Sequence, residues 1–580
     1  MARLRKVEIY NFRCIERLIW FPEPGINCLI GPGDSGKTTI LDAIDLCLGA
    51  RRTVQFTDAD FHNLDVSRAI SITLTIGDLD DRLKNLETYG LYLRGFNEET
   101  GVIEDEPEKG LESVLCLNLS VGSDLEPVWT LISDRAQAQS AARNLAWSDR
   151  VQLAPTRIGA LAEYNLGWRR GSVLNRLTDE KPDASAALAK AARDARAAFG
   201  HGADEQLADT LQIVTEQAKE LGIPVGEKVQ ALLDAHSVTF SGGMISLHDE
   251  VGVPLRGLGV GSLRLLIAGL QRRAADRSSI LLVDELEHGL EPHRIIRFLS
   301  YLGAKEESPP LQVFMTTHSP VALRELSGDQ LFVVRRKRRR HQVMAVGSDD
   351  DVQSTIRLYP DAFLATRIVL CEGASEVGLI RGLDQYFVNN EMESVFAAGV
   401  ALVDCGGGAP DKLFQRANAF HRLGYRVAIL RDDDQKPTPA VEEEFKSNGG
   451  HVFSWRKDRA LEDELFLSLP PPAIKRLLRR ASYLHSSEDI DQHIRSKSNG
   501  ELTLDNVINE LKTSELSLST RAILGKAART KRSGWFKSVT WMEVVARLIV
   551  GPNLDNSDSD FRAIITNIFS WMRNADPVRS

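Results

Sequence analysis

Cysteine is scarce in this chain: six thiols (Cys14, Cys28, Cys47, Cys116, Cys371, Cys405) are scattered over 580 residues, none in a C-x-x-C pair. That scatter excludes a disulfide framework and a zinc module and marks the thiols as buried or incidental. No apolar run approaches the roughly 20 residues that cross a bilayer. The N-terminal MARLRKVEIYNFRCIERLIW alternates like a strand and lacks the apolar core of an export signal. A cytoplasmic protein with no membrane partner is therefore expected. Repeats and long low-complexity tracts are also missing, apart from the basic run RRKRRRH at Arg335–His341. A formal charge of -9 argues against a surface that is basic all over, but leaves room for local cationic patches.

What is present is an ordinary globular balance, 43% apolar and 26% charged, in a chain too long for one core. Two or three domains are expected. KVEIYNF, GINCLI, AISITLTIGDL and VLCLNLSVGS read as strands up to about Leu153, with a helix TTILDAIDLCLG after the glycine-rich loop. Between roughly Arg157 and Leu233, Ala-, Leu-, Gln- and Glu-rich stretches repeat at helical period and read as an insertion. Strands return with VTFSGGMISLHD, SSILLVDE and LQVFMTTHS. After about Gly347, RIVLCEG, AGVALVDCGG and YRVAILRDDDQ alternate with helices, the order of a parallel sheet with functional groups at the carboxyl ends of its strands. From Pro470 onward the pattern is mostly helical.

GPGDSGKT at Gly31–Thr38 fits G-x-x-x-x-G-K-[ST], follows an apolar strand and opens a helix. Its glycines let backbone amides face phosphate, Lys37 would neutralise the β and γ phosphates, and Thr38 would ligate Mg²⁺. Gly31, Gly33, Asp34, Ser35, Gly36, Lys37, Thr38 and Thr39 are thus the expected nucleotide cradle. The strand ILLV ends in Asp284 and Glu285, suited to hold Mg²⁺ and to polarise the attacking water respectively. A third strand ends at His318, within the reach expected for a γ phosphate. Together with GLGVGS and LLVDELEHGLEP, this order resembles the ATPase heads of ABC-type proteins, especially the chromosome-maintenance and double-strand-break-repair branch. The resemblance implies that Gly259, Gly261 and Ser262 close on ATP held by a second protomer, hence a homodimer or higher homo-oligomer. Their GLGVGS departs from the usual leucine-serine-glycine-glycine form, and Gln55 is the candidate for the glutamine motif.

The second half carries acidic strand ends. Glu372 follows RIVLC, Glu376 lies four residues on at the start of the next helix, Asp404 ends ALV, and Asp432 and Asp434 end VAIL. Like charges gathered at neighbouring strand ends repel, and an oxygen-only ligand set resolves that repulsion with Mg²⁺ or Mn²⁺. The arrangement resembles the Toprim domain of topoisomerases, primases and overcoming-lysogenisation-defect (OLD) nucleases. Glu372 matches its first glutamate and Asp432 and Asp434 its paired aspartates, with Asp433 left open by register. The OLD branch implies a further acidic ligand at Glu462, with Glu464 as rival, and a late lysine at Lys537, with Lys531 as rival.

The resemblance extends over nearly the whole chain: an α/β protein with an ABC-type ATPase (1–156 and 236–346) interrupted by a helical insertion (157–235) expected to dimerise through Lys190–Gly222, followed by a Toprim domain with a helical extension (347–580). That is the architecture of OLD-family nucleases, a family that includes the nuclease subunit of the Gabija antiphage system. It implies an ATP-regulated, metal-dependent DNA endonuclease of bacterial defence, with DNA as substrate and room for a helicase-like or other defence partner. A clamp or sensor with a non-catalytic Toprim domain is the alternative, and a topoisomerase lacks a recognisable tyrosine context. The tracts Arg335–Arg340, Lys475–Arg480 and Lys526–Lys537 are candidate phosphate contacts, the first equally readable as a hairpin turn.

Overall fold

The computed structural model describes residues 2–51, 53–159, 165–166, 172–177, 190–191, 193–194, 206–220, 226–229, 247–276, 278–337, 340–348, 350–512 and 516–574. Most of the expected helical insertion, including the dimerising stretch 190–222 apart from the helix Ala208–Glu220 and six further residues, lies outside them, as does most of the expected strand 238–249.

The strand-rich opening divides between two sheets. Arg3–Phe12 turns back through Asn11 and Arg13, both at positive φ, into Ile15–Trp20, and pairs on its other side with Ile70–Gly77 to begin a seven-stranded antiparallel sheet. Ile26–Ile30 instead joins a six-stranded sheet, between Gln312–Thr316 and Leu331–Lys337. Every residue of Ile26–Ile30, Ile280–Val283 and Gln312–Thr316 is buried, as befits parallel strands covered on both faces. The helix Lys37–Leu48 fills the gap between the two sheets, with Ile40, Leu41 and Ile44 packed in one core with Ile9, Ile72 and Leu117.

A third sheet of four parallel strands runs in the order Val400–Asp404, Arg367–Cys371, Arg426–Arg431, His451–Ser454. The first strand in sequence is flanked by the second and third, so a topological switch point opens at the carboxyl ends of Arg367–Cys371 and Arg426–Arg431, where α/β folds place their ligands. Side chains alternate between two cores at the strand period. Ile368, Leu370, Val427 and Ile429 share a core with the six-stranded sheet. Val369, Cys371, Ala428 and Leu430 face the C-terminal helices.

One close approach positions the far wall of this crevice. Gly378 and Gly382 lie one turn apart on the helix Ala374–Asn389, and a Cβ on either would sit 2.5 Å from the Val539 carbonyl oxygen or 2.2 Å from that of Glu543. Only glycine allows the helix Val539–Val545 to lie directly against it, which brings Lys537 up to Glu372 and Glu462.

Candidate nucleotide and carboxylate sites

The phosphate loop is shaped by left-handed backbone at Gly31 (φ 134), Asp34 (φ 57) and Gly36 (φ 92), the last capping the helix Lys37–Leu48. A Cβ on Gly31 would stand 2.8 Å from the Val334 carbonyl oxygen, and one on Gly36 would stand 3.5 Å from the His341 imidazole and 3.1 Å from Cys14 Sγ. The hairpin formed by Leu331–Lys337 and Arg340–Ala345 thus abuts both ends of the loop. Lys37 Nζ curls back and donates to the Gly31 and Pro32 carbonyl oxygens at 3.1 and 2.8 Å and to Ser35 Oγ at 3.3 Å. Burial pushes its ammonium below the ordinary lysine value against the pull of Asp34 and Asp284. A lysine so desolvated gains from an anionic phosphate.

Asp284 Oδ1 accepts from Thr38 Oγ1 at 3.2 Å and Thr316 Oγ1 at 2.7 Å, and its Oδ2 lies 3.6 Å from Arg157. The loop, the acidic strand end and the third strand therefore meet. Glu285 sits at positive φ (47°), and two clasps hold it there: its N–H donates to Thr316 Oγ1, and the buried Arg264 guanidinium donates to the carbonyl oxygens of Asp284, Glu285 and His288 at 2.9–3.0 Å. Such strain persists where surrounding structure over-determines it, often at functional sites. Glu287, which the sequence reading passed over, accepts from the His318 N–H at 2.8 Å and from Thr317 Oγ1 at 2.7 Å, fixing the backbone at His318. An acidic residue three positions beyond the strand-ending aspartate was the available signal.

Gly259, Gly261 and Ser262 make their contacts away from the loop. Gly259 caps the helix Val260–Arg273 and is exposed, Gly261 packs on the Gly289 carbonyl, and Ser262 Oγ accepts from Arg294 at 3.0 Å. Gln55 is exposed.

At the switch point the Asp432 N–H donates to Glu372 Oε2 at 2.9 Å, and the Glu372 N–H to the Leu430 carbonyl oxygen. Asp432 Oδ1 accepts from the Leu461 N–H at 3.1 Å, which ties the head of the helix Leu461–Ser468, and Glu462 with it, to the same crevice. Glu376 caps its own helix by accepting from the Gly373 N–H. Burial, followed by the mutual repulsion of Glu376, Glu462, Glu372 and Asp434, holds the Asp432 carboxyl well above the ordinary range. Burial and then Glu462 push Glu376 up to about 8, while burial raises Glu372 and Glu462 against the pull of Lys537. Glu462 Oε1 is buried and has no hydrogen-bond partner.

The neighbouring acids are otherwise engaged. Burial alone would raise Asp433, but it is held down by Lys436, the Asp458 N–H and Arg431. Glu464 is gripped by Arg456, whose guanidinium donates to both carboxylate oxygens, and by Arg459. Asp404 accepts from the Gly406 N–H at 2.8 Å, within its own loop, and Asp434 takes a 2.8 Å bond from Arg529. Lys531 is exposed. Among the described residues no three His, Cys, Asp or Glu side chains already stand in metal-coordinating geometry. The donor set nonetheless fits a hard cation: oxygens only, crowded, buried, and with one acceptor orphaned.

A family profile described as "AAA domain, putative AbiEii toxin, Type IV TA system" matches residues 26–324. The chain is similar to a protein named OLD nuclease from Thermus scotoductus, 24% identical over 483 residues that cover 75% of this chain and 82% of that protein. The DNA replication and repair protein RecF of Prosthecochloris aestuarii is 37% identical over 76 residues, 13% of this chain and 20% of that protein. Among solved structures, an SMC head domain from Thermotoga maritima aligns with 60% of this chain and 99% of its own at 14% identity and a TM-score of 0.29. The resemblance read from the motifs, to ABC-type ATPases and OLD nucleases, is borne out. No helix among the described residues is long and apolar enough to cross a membrane.

Proposed function

Because this chain belongs to the AAA-domain family, we propose that it is an ATP-binding, ATP-hydrolysing and metal-dependent DNA endonuclease of bacterial antiphage defence. The observation that carries the reading is the gathering of half-buried Glu372 and Asp432 with buried Glu376 and Glu462 in one crevice, their carboxyls repelling one another, in the same polypeptide as a nucleotide cradle. Glu372, Asp432, Asp434 and Glu462 would hold Mg²⁺ or Mn²⁺, with Glu376 and Asp404 in reserve at adjoining helix and strand ends. Bound there, the cation would supply charge neutralisation at the scissile phosphate and activation of water. Lys537 offers a positive charge to the developing oxyanion. In the other half, Lys37 and the loop amides grip the triphosphate, Thr38 and Asp284 share its Mg²⁺, Glu285 orients water, and His318 faces the γ phosphate. Gly259 is exposed, and Gly259, Gly261 and Ser262 would meet a nucleotide on a second copy, so the working unit is a homodimer or larger.

The pairing of Asp434 with Arg529 favours a second reading, an ATP-driven DNA clamp whose Toprim region only binds. Supercoiled plasmid incubated with Mg²⁺ or Mn²⁺, with and without ATP, separates the two. The endonuclease reading expects nicking that Glu372→Gln and Asp432→Asn abolish; no metal-dependent nicking under any nucleotide condition rules it out.

A further inference from the structure

The described parts of the basic run, Arg335–Lys337 and Arg340–His341, pair as two antiparallel strands beside the N-terminal sheet, residues 338–339 lying outside the described residues. Lys337 pairs with Arg340 and Arg336 with His341 across the hairpin, and the returning strand Arg340–Ala345 packs beside Ile15–Trp20. Between them lies an open depression lined by Tyr10, Asn11, Arg17, Arg68 and Arg340, with Glu16 at its edge. Arg17, Arg68, Arg336, Lys337 and Arg340 are all exposed here. Only Arg68 is answered by carboxylates, Glu16 at 3.4 Å and Asp65 at 3.5 Å; the other four have no ion-pair partner among the described residues. The Arg17 guanidinium lies 5.7 Å from the centre of the Tyr10 ring, which spreads one cation along the floor. Nearby Arg13 is committed to Asp42 and Asp60 and takes no part.

In a chain with formal charge -9, three exposed arginines from separate segments, Arg17, Arg68 and Arg340, gather round one depression, with Lys337 across the hairpin from Arg340, and a polyanion balances them. We propose that this depression binds the phosphodiester backbone of nucleic acid, independently of base sequence. It rests on the endonuclease reading in that it gives the substrate a second hold, on the ATPase half rather than at the carboxylate crevice. Arginine forks suit phosphate oxygens, and such contacts position a duplex without reading its sequence. The same hairpin touches Gly31 and Gly36, so backbone held here lies beside the phosphate loop.

The test is binding of a fluorescently labelled duplex by the full chain in EDTA, followed by anisotropy over a salt series. The variant Arg17→Ala/Arg68→Ala/Arg340→Ala is expected to lose on the order of tenfold or more in affinity and about three units of the log K against log salt slope. Lysine at the same three positions is expected to retain most of both, which separates lost charge from lost folding. Lys84→Ala/Lys109→Ala/Arg422→Ala, three exposed cations outside every basic tract, serves as a matched control expected to keep the wild-type slope. A triple-alanine variant that binds like wild type, or a control that loses as much, overturns the proposal. Patch-dependent binding without any metal-dependent nicking leaves the proposal standing and removes the nuclease reading instead.

Discussion

The Arg335 guanidinium lies 3.9 Å from the centre of the Tyr425 ring and donates to the Ala365 carbonyl oxygen at 3.1 Å. Arg335 follows Val334, whose carbonyl meets Gly31, and Tyr425 precedes the strand Arg426–Arg431 that leads to Asp432. One side chain thus bridges the hairpin under the phosphate loop and the root of an acidic strand. Arg335→Ala is expected to leave nucleotide binding and metal-dependent nicking measurable separately while shrinking the effect of ATP on nicking severalfold. The stability cost should be about 1–2 kcal/mol for a desolvated cation–π contact and one hydrogen bond. Nicking rates with and without ATP check this; an unchanged ATP response removes Arg335 as a joint.

Gly31→Ala and Gly33→Ala should differ sharply. Gly31 is at φ 134 against a backbone oxygen, whereas nothing lies within 4 Å of a Cβ on Gly33. The first is expected to destabilise by about 2 kcal/mol or more and to weaken ATP binding; the second should keep the wild-type Tm. Differential scanning calorimetry together with titration of a fluorescent nucleotide measures both.

His341 gives a pH dependence of known sign. Burial, then Arg336 and His62, depress its imidazole to about 4. Between the free value near 6.5 and 4 the unfolded chain takes up a proton that the folded chain refuses, so stability is complete above about pH 6.5 and falls as pH drops towards 4. His341→Phe should flatten that part of the curve by on the order of 2–3 kcal/mol, read from denaturant midpoints between pH 7 and pH 4.5. An identical pH profile in the variant contradicts the assignment.

Glu462 and Glu464 sit two residues apart and should respond oppositely. Glu464→Gln removes the charge gripped by Arg456 and sets an amide NH2 against its guanidinium, and is expected to cost about 3 kcal/mol. Glu462→Gln removes a buried, repelled charge with an orphaned oxygen and is expected to raise the Tm of metal-free protein. Thermal unfolding in EDTA decides; equal losses in both would place Glu462 among ordinary ion-pair residues.

The glycine pattern, the acidic strand ends and the alternating order after Gly347 made both halves of the molecule legible, because they are local: period, punctuation and the residue at a strand's end. The hairpin reading of Arg335–Arg340 was available from HQVMAV alone, and Arg335–Lys337 pairs with Arg340–Gln342. What stayed hidden depended on which side chains the fold sets against one another. Arg431, Lys436 and the Asp458 N–H draw Asp433 away from Asp432, and Arg456 engages Glu464 rather than Glu462. Arg264 is one cation in the apolar stretch SLRLLIAGL, yet it clasps the strained turn at Glu285, and no spacing rule reports a guanidinium aimed at three carbonyls. The division of the opening strands between two sheets is likewise a long-range result, set by Ile26–Ile30 pairing with Gln312–Thr316.

The most direct check is equilibrium binding of Mn²⁺ to the nucleotide-free protein, followed by electron paramagnetic resonance, in wild type and in Asp432→Asn and Glu372→Gln, with Lys37→Ala as a control at the other site. Saturable Mn²⁺ binding that both crevice variants weaken at least tenfold and Lys37→Ala leaves intact is the expected result. Binding that is absent, or indifferent to Glu372 and Asp432, would contradict a cation-holding carboxylate crevice and with it the endonuclease.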